Sequence, residues 1–282
     1  MENTLARPCT RRIMVRVGFA GGGVMAEAMF SRAIASGLCA ARDISVGEPV
    51  PARRDDLAER YGVAVYADNA PAAEGAEIVV IAVKPQHISH VYHDLNGALD
   101  AGQTALSIAA GVTIGSLAAG LGHDRIIRVM PNTPAQIGAG ISVWTATPEV
   151  PDAARDTAAS LLATLGREWQ VDSEDYLDMA TAVSGSGPAY VFAFIEALTE
   201  AGVFVGMPRD MAQTLAVETA LGSARLASES GEAPAILRER VTSPGGTTAA
   251  ALQELERRGF KSALIEGVTA AFHRSQELGG KR

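Results

Sequence analysis

The stretch from Ile13 to Gly37 constrains this chain more than any other. An apolar, β-branched run (IMVRVGF) leads directly into Gly21-x-Gly23-x-x-Ala26, and an Ala- and Met-rich run comes next. That order reads as strand, phosphate loop, helix and glycine C-cap. Gly21 permits the tight turn, Gly23 lets a backbone approach a pyrophosphate, and Ala26 is small enough for helix to lie on strand. The helix start offers N–H groups and positive potential to an anion. Gly-rich turns are common, so the motif takes its meaning from its place between a strand and a helix. In that place it predicts dinucleotide binding.

Downstream, short apolar runs alternate with helical ones. DISVGEP reads as a second strand, followed by the charged helix around RRDDLAERYG; VAVY is a third strand and AEIVVIAV (Ala76 to Val83) a buried fourth. TALSI and RIIRVM supply a fifth and sixth, with TIGSLAAGLG as the helix between them. Such alternation implies an α/β fold, a doubly wound parallel sheet of the Rossmann type. After Pro151 the strand signals fade to at most REWQV near Trp169. The rest of the chain reads as helical: DAARDTAASLLATL, a run from Pro188, PRDMAQTLAVETALGSARLASE, and two more helices after Ser243. Gly206 and Pro208 stand where a helix stop and an N1 start belong. Long, Ala-rich, weakly charged helices need a partner surface. The expected organisation is a flexible extension over residues 1–12, a dinucleotide-binding domain over 13–165, and an all-α domain over 166–282. The helical domain is expected to carry the substrate and to form a homodimer or a higher oligomer. Met14, where the first strand begins, is a candidate functional start.

Composition narrows what such a fold does. With a net charge of −8 the chain has no general electrostatic route to phosphate polymers, so nucleic acid is not an expected partner. Arg7, Arg11, Arg12 and Arg16 form a basic cluster that reads as a solvated tail. Cys9 and Cys39 make no disulfide framework. The N-terminus lacks a signal-peptide pattern. Glu196 and Glu200 interrupt the most apolar stretch, Ala189 to Met207, which therefore reads as a buried interface helix rather than a membrane span. A cytoplasmic location is the resulting expectation. On a helix His87 and His90 lie close but His93 is turned about 120° from His87. No Cys or Glu cluster completes a shell around them, so no metal is expected. Met25, Met29 and Phe30 read as core packing.

Two features bear on the coenzyme. Glu48 stands about 25 residues beyond Gly23, where an acid accepts hydrogen bonds from a ribose and repels a 2′-phosphate. Arg53 and Arg54 come soon after and argue for NADPH, unless they are solvent-facing charges in a helix's first turn. Glu48 tilts the expectation towards NADH.

Further strings carry a resemblance. AVKP (Ala82 to Pro85), SIAAGVTI (Ser107 to Ile114), MPNTP (Met130 to Pro134), SGSGPAY (Ser184 to Tyr190) and VTSPGGTTAAALQELERRGF (Val241 to Phe260) occur in order between about Ile13 and Glu277. Together they resemble the pyrroline-5-carboxylate reductases. The resemblance implies a Rossmann domain joined to a helical dimerisation domain, and hydride transfer from NADH or NADPH to the imine carbon of 1-pyrroline-5-carboxylate, giving L-proline. By position it implies cofactor contacts at Gly21, Gly22, Gly23, Val24, Met25, Ala26, Asn69, Ala82, Val83, Lys84, Pro85 and Ala110. It places Glu174, Thr247 and Thr248 at the substrate or its water network. Three positions depart from the family pattern. Val24 stands where many members carry Asn or Gln, Glu48 where NADPH users often have Ser or Asn, and Arg240 where some relatives have an amide.

The substrate demands an anion site, a donor near the imine nitrogen, and a fixed approach for the nicotinamide. Ser243, Gly245 and Gly246 open a helix whose bare N–H groups suit a carboxylate. The plain alternative is an ordinary turn capped by Ser243 or Thr247. Thr248 is the candidate donor to the imine, orienting the ring or passing a proton from water rather than acting as an acid itself. Lys84 comes after the fourth strand, at the carboxyl edge where ligands of open α/β sheets bind. It reads as a catalytic or binding residue, or as a loop charge. Rival readings exist. A β-hydroxyacid dehydrogenase needs a lysine in its second domain, but none lies between Lys84 and Lys261. A deazaflavin-linked NADP reductase would not need SPGGTT, and a non-catalytic dinucleotide sensor would bind NADH without oxidising it.

Overall fold

The computed structural model describes residues 15–280. The expected N-terminal extension, with Arg7, Cys9, Arg11 and Arg12, and the candidate start Met14 lie outside the described residues. The chain forms two compact units, one running to Gly185 and resuming at Ala271, the other Ser186–Ala270.

The first unit alternates strands and helices: β1 (Val17–Ala20), α1 (Val24–Ala35), β2 (Ile44–Gly47), α2 (Pro51–Tyr61), β3 (Ala64–Tyr66) and α3 (Asn69–Ala73). Then come β4 (Ile78–Ile81), α4 (Ile88–Leu95), β5 (Thr104–Ser107), α5 (Ile114–Leu121), β6 (Ile126–Met130) and β7 (Gly140–Ala146). The series ends with α6 (Asp152–Ala163), β8 (Gly166–Gln170) and α7 (Asp175–Ala180). The strands form one sheet in the order β3-β2-β1-β4-β5-β6-β7-β8. β1 to β6 pair in parallel, as the helical crossovers require. Side chains of β4 alternate between the two faces: Ile78 and Val80 join the core with Phe19, Met29, Phe30 and Trp144. Val79 and Ile81 join the other, with Val91, Leu95, Leu117 and Leu121. The packing role expected of Met25, Met29 and Phe30 holds, for Met29 and Phe30 are fully buried and Met25 packs against their cluster.

Two expectations need correction. The sheet is not wholly parallel, because β7 runs antiparallel to β6 and β8 runs parallel to β7. The sequence pattern does not announce β7, and the reason is physical. Its buried face presents Ser142 and Trp144 while Ile141 and Val143 are only half-buried, an inversion of the usual pattern. The boundary also differs from 165/166. β8 joins the sheet and α7 packs on β6 and β7, so the first unit continues to Gly185.

The second unit is helical: α8 (Gly187–Phe204), α9 (Arg209–Ser230), α10 (Pro234–Arg240), α11 (Thr247–Arg257) and the beginning of α12 (Phe260–Leu278). α8 and α9 pack closely where a side chain on Gly202 would meet Ala212 Cβ at 2.8 Å. Few of its large apolar side chains are buried. Phe204 is 92% exposed and Val205 75%, and Phe192, Leu221 and Ile265 are exposed too. No helix among the described residues is long and apolar enough to cross a membrane.

Gly166 gives a stability test. Its φ is +135°, and a Cβ there would lie 2.1 Å from the Gly140 carbonyl oxygen. Gly62, the αL stop of α2 with φ +68°, has open space around it. In urea unfolding Gly62→Ala should cost about 1 kcal/mol, and Gly166→Ala clearly more, about 3 kcal/mol. Equal losses would show that the β7–β8 approach is not under steric constraint.

Candidate active site

The glycine loop extends directly from β1. Gly21 has φ +99°, and a side chain there would run into Val83 Cγ1 at 2.8 Å and the Ala82 carbonyl at 3.1 Å. Its N–H donates to the Gly47 carbonyl at 2.8 Å, tying the loop to the end of β2. Gly23 is the N-cap of α1, has nothing within 4 Å of a would-be Cβ, and no side chain caps the helix. Val24 opens the helix at 62% exposure, whereas Ala26 is fully buried. The result is a cradle of bare amides at a helix N-terminus, and it suits a pyrophosphate in shape and charge.

Beside it, Glu48 accepts from the Gly22 N–H at 3.2 Å and from the Val50 N–H at 3.0 Å. Arg53 does not project as a free charge. Its Nε donates to the Gly22 carbonyl at 3.0 Å, Nη1 to Asp56 at 2.8 Å, and Nη2 to Glu27. Glu27 also takes the Tyr61 hydroxyl at 2.6 Å and pairs with Arg60 at 2.8 Å. Burial works to raise the Glu27 pKa, but the Arg53 and Tyr61 hydrogen bonds and the nearby guanidinium charges outweigh it and hold the carboxyl below its ordinary value. Arg54 donates to the carbonyls of Glu48 and Pro49. The two arginines therefore brace α2 against the loop. Elsewhere in this unit, burial first and Asp43 second push the Cys39 thiol up to about 11, so it remains a protonated core group.

The remaining positions expected to meet the nucleotide lie along the carboxyl edge of the sheet. Asn69 begins α3, donates to Asp94 at 2.8 Å, and fills the space a side chain on Gly47 would take. Ala82 and Val83 are half-buried, while Lys84 and Pro85 are exposed and lead into a 3-10 turn over Pro85–His87. His87 and His90 have ring centroids 6.3 Å apart; His87 and His90 are exposed and His93 is too.

Ala110 sits half-buried in the loop after β5. That loop is held by Glu174 together with residues the sequence pattern did not mark, Gly111, Arg128 and Asp178 among them. A side chain on Gly111 would meet Leu278 Cβ at 2.8 Å, and the Ile114 N–H at the start of α5 donates to Glu174 Oε1 at 2.7 Å. The same carboxylate oxygen takes Arg128 Nη1 at 2.6 Å. Arg128 is 3% exposed, lies 3.8 Å from Asp178, and Asp178 in turn accepts from Ser275 at 2.9 Å. Glu174, expected at the substrate or its water network, thus ties the start of α5 to Arg128. A signal was available: an arginine in the apolar strand RIIRVM needs a buried carboxylate.

The other group of expected residues belongs to the second unit. Gly246 N–H donates to the Ser243 carbonyl at 3.0 Å, closing a turn in which Gly245 has φ +70°. Gly246 is the N-cap of α11, and no side chain caps the helix. Neither Ser243 nor Thr247 serves as a cap. Ser243 and Thr247 are exposed and Thr248 is half-buried on the first turn. Arg240 pairs with Glu232 at 2.6 Å.

A doubly wound sheet with a glycine cradle at the end of β1 defines a dinucleotide-binding oxidoreductase fold. Known proteins refine that class. The model for pyrroline-5-carboxylate reductase dimerisation matches residues 174–278, and that for coenzyme F420-dependent NADP oxidoreductases matches residues 16–111. The pyrroline-5-carboxylate reductase of Synechocystis is 46% identical over 267 residues, covering 95% of this chain and 99% of that protein. The solved pyrroline-5-carboxylate reductase of Coxiella burnetii matches with a TM-score of 0.87 at 37% identity, covering 94% of this chain and 98% of that one. The pyrroline carboxylate reductase of Plasmodium falciparum, solved with NADP bound, matches with a TM-score of 0.85 at 29% identity over 94% and 98%. This chain belongs to the pyrroline-5-carboxylate reductase family.

Arg128→Met should remove a buried cation that faces both Glu174 and Asp178. Taking it from those carboxylates should cost about 3–5 kcal/mol, read from the urea midpoint. A triple variant combining Arg128→Met with Glu174→Gln and Asp178→Asn should recover part of that loss. A single-variant loss below about 1 kcal/mol would mean water already solvates the group.

Proposed function

We propose that this chain reduces 1-pyrroline-5-carboxylate to L-proline with NADH or NADPH. Membership in the reductase family carries the reading, and the glycine-opened start of α11, with Thr247 and Thr248 on its first turn, supplies the chemistry the substrate needs. When bound, the reduced nicotinamide supplies the hydride for the imine carbon. Gly21 to Ala26 hold the pyrophosphate on the amides of α1, and Ala82 to Pro85, Asn69 and Ala110 line the nucleotide's path along the sheet edge. Lys84 adds a positive charge beside it. The N–H groups that open α11 take the ring carboxylate, because a glycine N-cap leaves them free of side-chain competition.

The new bonds are C–H at the imine carbon and N–H at the nitrogen, so a proton must accompany the hydride. The Thr248 hydroxyl orients the ring and passes that proton from water, or holds an iminium protonated beforehand. Fixing both reactants provides much of the rate, up to about 7–11 kcal/mol in well-oriented systems. The F420-type match ends at residue 111 and omits the Ser243–Thr248 segment, so it speaks to the nucleotide half alone. We place the enzyme in the cytoplasm, as a homodimer through the helical unit.

Initial rates of coenzyme oxidation with 1-pyrroline-5-carboxylate test the reaction. Activity should require both, with L-proline as product; coenzyme binding without oxidation would leave a sensor. Thr248→Ala should lower kcat about 10²-fold or more while leaving coenzyme affinity nearly unchanged. Unaltered turnover would remove Thr248 from the mechanism. Light scattering of the eluting peak should give at least twice the 29.2 kDa chain mass, and a monomer at micromolar concentration would refute assembly through α8 and α9.

A further inference from the structure

We infer that this chain selects NADH over NADPH, because Glu48 is locked at the ribose position while Arg53, whose guanidinium donates to the loop, is consumed by protein partners. The inference rests on the proposed dinucleotide role of the first unit and deepens it. In doubly wound sheets the adenosine ribose lies beside the carboxyl end of the second strand. Glu48 is the first residue after β2, and its N–H donates to the Tyr66 carbonyl at 2.9 Å, carrying the β2–β3 pairing one step beyond the strand. Its carboxylate is fixed at both oxygens, by the Gly22 and Val50 N–H groups at 3.2 and 3.0 Å. An ionised carboxylate is an acceptor with about four lone-pair sites, so capacity remains for the two hydroxyls of a ribose. It has no proton to give a phosphate. A 2′-phosphate would therefore meet like charge on a carboxylate that two backbone N–H groups hold in place.

A compensating cation is the usual remedy, and here it is already engaged. Arg53 spends Nε on the Gly22 carbonyl, Nη1 on Asp56 and Nη2 on Glu27. Swinging it to a phosphate would release the loop and leave Glu27 with fewer partners. Arg54 is held less firmly, through Nη1 to the Glu48 and Pro49 carbonyls at 2.7 and 2.9 Å. It is the one positioned to serve a phosphate if Glu48 lost its charge.

The test is equilibrium titration of the full-length protein with NADH and with NADPH, monitored by coenzyme fluorescence, and by competition with 5′-AMP against adenosine 2′,5′-bisphosphate. The Kd for NADH should be at least about tenfold lower, equivalent to about 1.4 kcal/mol. The monophosphate should compete better than the bisphosphate. In Glu48→Gln the two coenzymes should bind within about threefold of each other, and adding Arg54→Ala should weaken NADPH again. Equal or tighter NADPH binding by the wild-type protein would overturn the inference, as would a Glu48→Gln ratio that does not move. Should Glu48→Gln fail to fold, the wild-type titration and the mononucleotide competition still decide. The selectivity and the reaction fail separately. Equal coenzyme binding in a protein that still makes proline sinks only the selectivity, whereas an NADH preference without imine reduction upholds it and sinks the reaction.

Discussion

At the carboxyl ends of β1, β2 and β4, three backbone segments converge where a β-carbon has no place. A side chain on Gly21 would strike Val83, and one on Gly47 would strike Asn69. Because the backbones meet without side chains between them, the Gly21 N–H reaches the Gly47 carbonyl and the loop is drawn over the sheet edge. The start of α1 then faces open space at Gly23 with its amides bare. The rest of the first unit serves to keep that geometry rigid. Phe19 packs edge-on against Phe30, with ring centroids 5.6 Å apart, and Phe30 against Tyr61 at 5.2 Å, so β1, α1 and α2 are locked through one aromatic row.

Charge is arranged to the same end. Arg53, Glu27, Arg60, Asp56 and Tyr61 form a half-buried network joining α2 to α1 and to the loop carbonyl. An isolated surface pair contributes little, but a network with several hydrogen bonds on each group fixes orientation as well as energy. On the opposite flank Arg128 and Glu174 do the equivalent for the loop after β5. Both flanks hold the nucleotide edge with ion pairs that point into protein.

Much of this was legible from residue pattern. Strands buried on both faces read as short apolar runs, and the glycine spacing marked where the loop and helix begin. The helices of the second unit were readable from composition and from Gly206 and Pro208, although α10 was not identified, nor was α7 in the first unit. The failures have definite causes. β7 hid because Ser142 occupies its buried face without a hydrogen-bond partner for Oγ, so the alternation pointed the wrong way. The boundary moved because β8 is an edge strand with Trp169 exposed, a weak signal for sheet membership. Sequence spacing leaves Arg53 open between a phosphate partner and a solvent charge, because it cannot show that Glu27, 26 residues earlier, lies across from it. The expectation that Glu174 lies at the substrate or its water network is not overturned by its ion pair with a strand arginine 46 residues away, a partner visible only in three dimensions.

The two units differ in how they reach stability. The first closes two cores around its own sheet. The second leaves Phe192, Phe204, Leu221 and Ile265 uncovered. A buried side chain of that kind is worth about 1.5–3 kcal/mol relative to exposure, so a unit that leaves them in water forgoes a stabilisation as large as a typical domain possesses. An uncovered apolar face of that kind agrees with the match of residues 174–278 to a dimerisation model. The segment Ser243–Thr248 belongs to this unit, and the precision that a glycine-opened helix end needs is inherited from the packing of its neighbours. Assembly that covers those side chains would therefore do more than add stability: it would sharpen how the residues proposed for the substrate are held.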